Sequence, residues 1–196
     1  MKLLFAAAIA TLQSTSTYAQ TRKVFVTSQL YDGNLGGVTG ADMICQSLAD
    51  SATPPVPGTF RAWISDGTSS PANSFDLSTV PYQLVDDDGT TIANNFADLI
   101  DGAIQNPIDK DENGNTISGG ISGNFSVWTN TNTDGTASTN NCNNWSGSGI
   151  GQLGVQGITR ASDSRWTFIP PTRPSGSISC DNLARLYCFQ QVPTVS

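Results

Sequence analysis

A cysteine sits in the middle of what reads as the buried face of an amphipathic helix, and that placement constrains the chain more than any other feature. Over Thr39 to Ala52, the residues Ala41, Ile44, Cys45, Leu48 and Ala52 recur at spacings of three and four, which sets them on one stripe. Gln46, Ser47 and Asp50 face outward. Thr39 is placed to cap the first turn, and Asp42 suits the positive end of the helix dipole. A thiol on that stripe is either an inert core residue or one end of a disulfide. Three further cysteines downstream and an export signal upstream favour the disulfide.

The export signal is the first 19 residues. Lys2 gives a short basic start, Leu3 to Leu12 is apolar but too short to cross a bilayer, and Thr17-Tyr18-Ala19 is a small-x-small ending. Residues 1–19 therefore read as a secretory signal peptide cleaved after Ala19. No cysteine stands at that point to carry a lipid anchor, and no later run is long or apolar enough to span a membrane. The expected destination is secreted: extracellular, periplasmic or associated with the cell surface.

Taking 19 from 196 leaves 177 residues, 20–196, which suits one domain with a sizeable core. Without Lys2, eight basic residues face sixteen acidic ones, a net charge of −8 that repels nucleic acid and anionic lipid. There is no histidine, which removes imidazole acid–base catalysis and histidine-ligated zinc. Four tryptophans and four cysteines argue for a fixed fold despite the abundance of Asn, Thr, Ser and Gly.

Lys23 to Ser28 has strand chemistry, as do Thr59 to Ser65, Pro81 to Val85 and Thr91 to Ala93. In the second of these, Phe60, Ala62 and Ile64 share one face and Trp63 lies on the other, so the strand reads as buried on both sides. Asp86-Asp87-Asp88-Gly89 is a turn, and Asn95 to Ile100 a short helix. Beyond Pro107, Asp109 to Asn124 and Asn130 to Asn141 read as polar loops, and Val127-Trp128-Thr129 as a strand between them. Asn141 to Trp145 starts a further strand. Gly147 to Gly157, with five glycines, reads as a surface excursion. Trp166 to Ile169 and Leu186 to Gln190 complete the set. One firm helix, short strands near both ends and long irregular loops make this an α+β chain.

The series G40-A-D-M-I-C-Q46, G58-T-F-R-A-W-I-S65, V127-W-T-N-T-N-T-D-G135, C142-N-N-W145, S179-C180 and R185-L-Y-C-F-Q190 resembles the endostatin domain that ends certain collagens. It is closer still to the bacterial endostatin-like domain of unknown function found in secreted and leptospiral surface proteins. The resemblance runs from about Val24 to Gln190 with its motifs in family order. It implies a C-type-lectin-like fold: one main helix, a distorted and mainly antiparallel sheet, long loops and two nested disulfides. Carried onto this chain, the family pairing implies Cys45–Cys188 and Cys142–Cys180. The outer bridge would staple the helix to the closing strand, and the inner would fix the base of the loop region.

Departures from the relatives carry equal weight. Without histidine the zinc site of endostatin has no counterpart, and the acidic balance disfavours heparin-like ligands. The Glu-Pro-Asn or Gln-Pro-Asp and Trp-Asn-Asp signatures of calcium-dependent lectins do not occur; Asn143-Asn144-Trp145 is a faint echo. One stretch has calcium-loop character. Asp109, Asp111, Asn113 and Asn115 place oxygens alternately, with Gly114 sixth, like the front half of an EF-hand loop, although its twelfth position is Gly120. A solvated acidic turn accounts for the same residues, and calcium is the one cofactor the sequence leaves open. Serine or cysteine catalysis lacks a base.

The leading expectation is a non-enzymatic secreted recognition or adhesion module that binds an extracellular protein or glycan through the loop surface between Asp101 and Pro174. The alternatives are a calcium-supported carbohydrate-binding module and a carboxylate-dependent glycoside hydrolase. The residues expected to make polar contacts are Asn130, Asn132, Asp134, Asn143 and Asn144, which flank Trp128 and Trp145. The competing assignment for each is the internal capping of a turn.

Overall fold

In a computed structural model, residues 20–117, 125–173 and 176–191 are described. The leader 1–19, Gly120 of the calcium-like stretch and Pro174 lie outside them.

The architecture is α+β. The main sheet has five strands: β1 (Arg22–Val26), β2 (Thr59–Ala62), β3 (Tyr82–Leu84), β4 (Thr91–Ala93) and β8 (Tyr187–Gln191), in the order β2-β8-β1-β3-β4. Only the β1–β3 pair is parallel; the other three pairs are antiparallel. A second sheet of three antiparallel strands joins β5 (Ser126–Trp128), β6 (Leu153–Ile158) and β7 (Ser177–Ser179). The first and last strands of the chain thus lie side by side, with Phe25 opposite Cys188.

Alternation along these strands divides the interior in two. Val24, Val26, Tyr187 and Phe189 belong to one apolar cluster; Phe25 and Cys188 belong to the other. Phe60, Ala62 and Ile64 join the second cluster while Trp63 joins the first, so β2 and its extension are buried on both sides. All four tryptophans are fully buried. Trp63 lies 4.9 Å from Trp166 and 5.3 Å from Phe189, ring centre to ring centre, at tilted angles that suit aromatic quadrupoles.

Helix α1 (Gly37–Ser51) covers the second cluster. It starts earlier than expected. The cap is Gly36 in a left-handed conformation, φ 78°, and Thr39 is an exposed first-turn residue rather than the cap. Its buried stripe is Gly40, Ala41, Cys45 and Ala49, with Ile44 and Leu48 only half buried. These small residues let the helix sit close against β2. A Cβ at Gly40 would stand 2.0 Å from the Leu35 carbonyl oxygen.

Asp42 and Gln46 have a different task from the one assigned by pattern. Among the described residues no strand pairs with the outer edge of β2, and Asp42 Oδ1 accepts from the Ala62 amide (2.8 Å) while Gln46 Oε1 accepts from the Phe60 amide (2.9 Å). The helix thereby satisfies the open edge that would otherwise template further pairing. Burial drives the Asp42 carboxyl above its ordinary range, against the Ala62 bond and the charge of Arg61.

Both bridges are present, Cys45–Cys188 and Cys142–Cys180, and no cysteine is free. Such bonding belongs to an oxidising compartment. Among the described residues no helix is long and apolar enough to cross a membrane.

Three stretches depart from the expected elements. Residues Asn141 to Trp145 do not form a strand: Cys142, Asn143, Asn144 and Trp145 have φ of 49°, 56°, 55° and 59°, one left-handed turn. The expected surface excursion Gly147 to Gly157 holds all but the last residue of β6, the central strand of the small sheet. Its glycines answer to close approach: a Cβ on Gly154 would stand 2.7 Å from the Trp128 ring, and one on Gly157 2.0 Å from the Trp166 carbonyl oxygen. Finally, Trp166 to Ile169 follows a 3₁₀ turn, Ser164–Trp166, instead of forming a strand. Two short helices, α2 (Pro71–Ser74) and α3 (Phe96–Leu99), complete the frame, and only α3 was foreseen.

Candidate binding site

Ser65, just beyond β2 and fully buried, gathers three loops into one polar crown. Its amide donates to the Thr129 carbonyl (2.9 Å), and its own carbonyl accepts from Trp145 Nε1 (2.8 Å) and Asn130 Nδ2 (3.1 Å). Its hydroxyl bonds that of Thr131 (2.8 Å). The chain around Thr129 to Ser138, the left-handed turn and residues 65–70 therefore meet at one point. The turn also carries Cys142, so the inner bridge ties it to β7 through Cys180.

Asp66 closes the loop that follows. Its Oδ1 accepts from the amides of Thr68 and Ser69, both at 2.7 Å, and from the Thr68 hydroxyl at 3.1 Å. Burial alone would raise this carboxyl, but the bonds from Ser69 and Thr68 outweigh it and hold it below the ordinary range. The loop then enters α2 through a capping box of Ser70 and Asn73 with Pro71 in the first turn. Ser65 and Asp66 were not singled out from sequence. The signal was there, because Asp-Gly-Thr-Ser-Ser-Pro combines a side-chain-closed turn with a helix start.

The five nominated residues all fall in this region, but in two roles. Asn130 is fully buried, with φ 45°, and its amide nitrogen is spent on Ser65; it is a structural residue and no surface contact. The other four are each half committed. Asn132 Nδ2 donates to the Thr136 hydroxyl (3.1 Å) and the Ala137 carbonyl (3.0 Å). Asp134 Oδ1 accepts from the Thr136 hydroxyl (2.6 Å) and amide (3.0 Å), which holds its carboxyl below the ordinary range. Asn143 Nδ2 donates to the Ser146 hydroxyl (3.1 Å). Asn144 Oδ1 accepts from the Gly67 amide (3.2 Å) and Asn141 Nδ2 (2.8 Å). In each case the second polar atom of the side chain has no partner among the described residues. Asp134, Asn143 and Asn144 are exposed and Asn132 half buried.

The calcium-like stretch forms a hairpin closed by its own side chains. Lys110 pairs with Thr116 across a tight hairpin, and Asp111 Oδ1 accepts the amides of Asn113 and Asn115, both at 2.9 Å. Asn113 Oδ1 turns to the Thr53 amide (2.9 Å), and Asn115 Nδ2 donates to the second oxygen of Asp111 (3.3 Å). Asp111 and Asn113 thus spend side-chain oxygens on the hairpin and its neighbour, and Asn115 turns its amide nitrogen to Asp111. Among the described residues no three Asp, Glu, His or Cys side chains come together in a way that would hold a metal ion.

No curated protein matches the chain. Residues 28–162 match the family described as a protein of unknown function, DUF1554, a span that holds the whole crown, both asparagine loops and the helix with Cys45. That span is well over half of the 196 residues, and the chain belongs to this DUF1554 family.

Proposed function

We propose that the protein is a secreted, non-enzymatic recognition module whose crown binds an extracellular protein or glycan. One observation carries the reading: Asn132, Asp134, Asn143 and Asn144 each use one polar atom to lock their own rotamer and leave the other unpartnered among the described residues. Polar groups fixed in this way bind without the entropy cost of ordering a mobile loop. The buried Trp128 and Trp145, 5.7 Å apart, support them from below.

Chemistry favours recognition over turnover at this surface. The sequence holds no histidine, and every cysteine is in a bridge. The crown's carboxyls, Asp66 and Asp134, are both held below the ordinary range, the reverse of what a general acid requires at neutral pH. The acidic balance disfavours nucleic acid. The reading of the family as a bacterial relative of the endostatin domain, with C-type-lectin-like architecture and an extracellular or cell-surface destination, fits the first-with-fourth and second-with-third cysteine pairing.

The test is a screen of the oxidised protein, residues 20–196, against extracellular-matrix proteins and a glycan array, with calcium and with chelator. The expected result is a partner whose binding is lost in the triple variant Asn132→Ala, Asp134→Ala, Asn144→Ala while the variant remains folded by circular dichroism. Binding that survives the triple variant removes the crown from the account. Release of sugar from an array glycan overturns the non-enzymatic reading.

A further inference from the structure

On the proline-rich exit of α1 the protein has a second concave surface, a cleft of about 610 Å³. Its banks are residues 53–57, the 85–88 turn between β3 and β4, and the hairpin 110–114, with Lys23 and Gln190 between them. Volumes of this order hold small ligands and short peptide segments.

The walls are preformed. Asn113 Oδ1 accepts from the Thr53 amide (2.9 Å), tying the hairpin to the proline bank. Gln190 donates from Nε2 to the Pro57 carbonyl (2.7 Å) and accepts at Oε1 from the Lys23 amide (2.8 Å). On the far bank, Gly114 approaches so closely that a Cβ there would stand 2.9 Å from the Val85 carbonyl oxygen.

The chemistry of the lining selects a ligand. Pro54, Pro55 and Pro57 offer apolar rings with no amide donors, and Val56 and Val85 extend the apolar wall. Asp87 and Asp88 are exposed on the opposite lip and have neither ion pair nor hydrogen bond among the described residues. The lysines in the cleft make no ion pair with them among the described residues. Lys23 Nζ donates to the Leu84 carbonyl (3.1 Å) and Lys110 Nζ to the Thr116 hydroxyl (2.6 Å). The lining includes no aromatic side chain on which a sugar ring could stack.

We propose that this cleft binds an extended basic peptide segment of a partner protein, with an apolar or aromatic side chain against the proline wall and a flanking Arg or Lys on Asp87 and Asp88. This deepens the recognition reading, which it rests on, but through a surface separate from the crown. Apolar and aromatic side chains bury surface against proline rings, and unpaired carboxylates steer and fix a cation.

Three capped nonapeptides of neutral flanking sequence test it, with central Arg-Trp-Arg, Glu-Trp-Glu or Arg-Gly-Arg, titrated by fluorescence anisotropy at low salt with amide shifts mapped by NMR. The Arg-Trp-Arg peptide is expected to bind and to shift amides in 53–57, 85–88 and 110–114. The other two should bind at least about tenfold more weakly, and so should Arg-Trp-Arg against the Asp87→Lys, Asp88→Lys variant. That variant changes residues that hold no other part of the chain, and its unfolding midpoint confirms the fold. Equal binding of Arg-Trp-Arg and Glu-Trp-Glu overturns the proposal, as do indifference to the double variant and shifts confined to the crown. The crown triple variant should leave peptide binding unchanged, so failure of the cleft and failure of the crown are read separately.

Discussion

The crown and the cleft are built on opposite principles. In the crown, the side chains proposed to meet a partner are also those that hold the loops: Asn144 bonds Gly67 and Asp134 bonds Thr136, while the buried Ser65 unites three segments. In the cleft, the walls are fixed by Asn113 and Gln190, while Asp87 and Asp88 hold nothing. The proposed binding is therefore coupled to stability in the first region and separable from it in the second. The two disulfides follow the same division. Cys142 lies inside the left-handed turn of the crown, whereas Cys188 stands two residues before Gln190 and Cys45 lies on the helix that runs out into the proline bank.

Removing the bridges should give the largest effects. With separations of 143 and 38 residues, loop-closure entropy assigns roughly 5 kcal/mol to Cys45–Cys188 and roughly 4 kcal/mol to Cys142–Cys180. Paired cysteine-to-alanine variants compared by denaturant unfolding check this order. The comparison sharpens if the inner pair, once removed, lowers crown binding and spares the Arg-Trp-Arg peptide. It breaks if both variants lose both activities while still folded.

Next comes Trp145→Ala. The ring is fully buried against Trp128 and its nitrogen holds the Ser65 carbonyl, so truncation should cost about 3–5 kcal/mol by chemical denaturation. A smaller cost would mean that the crown does not depend on this anchor.

The left-handed turn allows a finer test. Asn143 has φ 56° and one side-chain bond to Ser146, so Asn143→Val should cost about 1–2 kcal/mol, and Asn143→Gly should stay within about 0.5 kcal/mol of the parent. Equal costs for the two would show that the backbone there is not constrained as described.

Acid sensitivity separates the crown carboxylates from Asp42, at the edge of β2, by sign. Asp66 and Asp134 are held below the ordinary carboxylate range when folded, so their contribution is present above that range and is lost as pH falls through their folded values. Asp42 runs the other way. Its carboxyl is raised, so it lowers stability as pH climbs from the ordinary value through the raised one. Asp66→Asn with Asp134→Asn should flatten the acid limb of a stability–pH curve, and Asp42→Asn should remove the opposing slope just above it. The smallest effect is expected at the cleft lip, where Asp87→Lys with Asp88→Lys should change stability by less than about 0.5 kcal/mol.

What was legible in the sequence follows from how each signal arises. The helix, the doubly buried β2 and the Asp86–Gly89 turn were readable because periodicity and turn chemistry act locally. The left-handed turn at Cys142–Trp145 was not, since nothing in Cys-Asn-Asn-Trp distinguishes it from a strand until Ser65 and the inner bridge impose it. Strand β6 was hidden by its own glycines, which read as loop although Trp128 and Trp166 require them. Asn130 looked like its neighbours and proved to be buried, because its burial depends on Ser65, a contact 65 residues away in sequence. The cleft was invisible for the same reason: its lining comes from five separate stretches that nothing local in the sequence brings together.

The most direct test of the central claim is to measure, side by side, the affinity of the screened partner and the unfolding midpoint for the parent, the crown triple variant and the Asp87→Lys, Asp88→Lys variant. The account predicts that the crown variant loses the partner by at least about tenfold at a temperature where it is still folded. Each lost turn bond should lower its stability by roughly 0.5–1.5 kcal/mol. An affinity that falls only in step with the folded fraction, or that does not fall at all, would contradict the claim that the crown is a binding surface and leave its asparagines as turn caps.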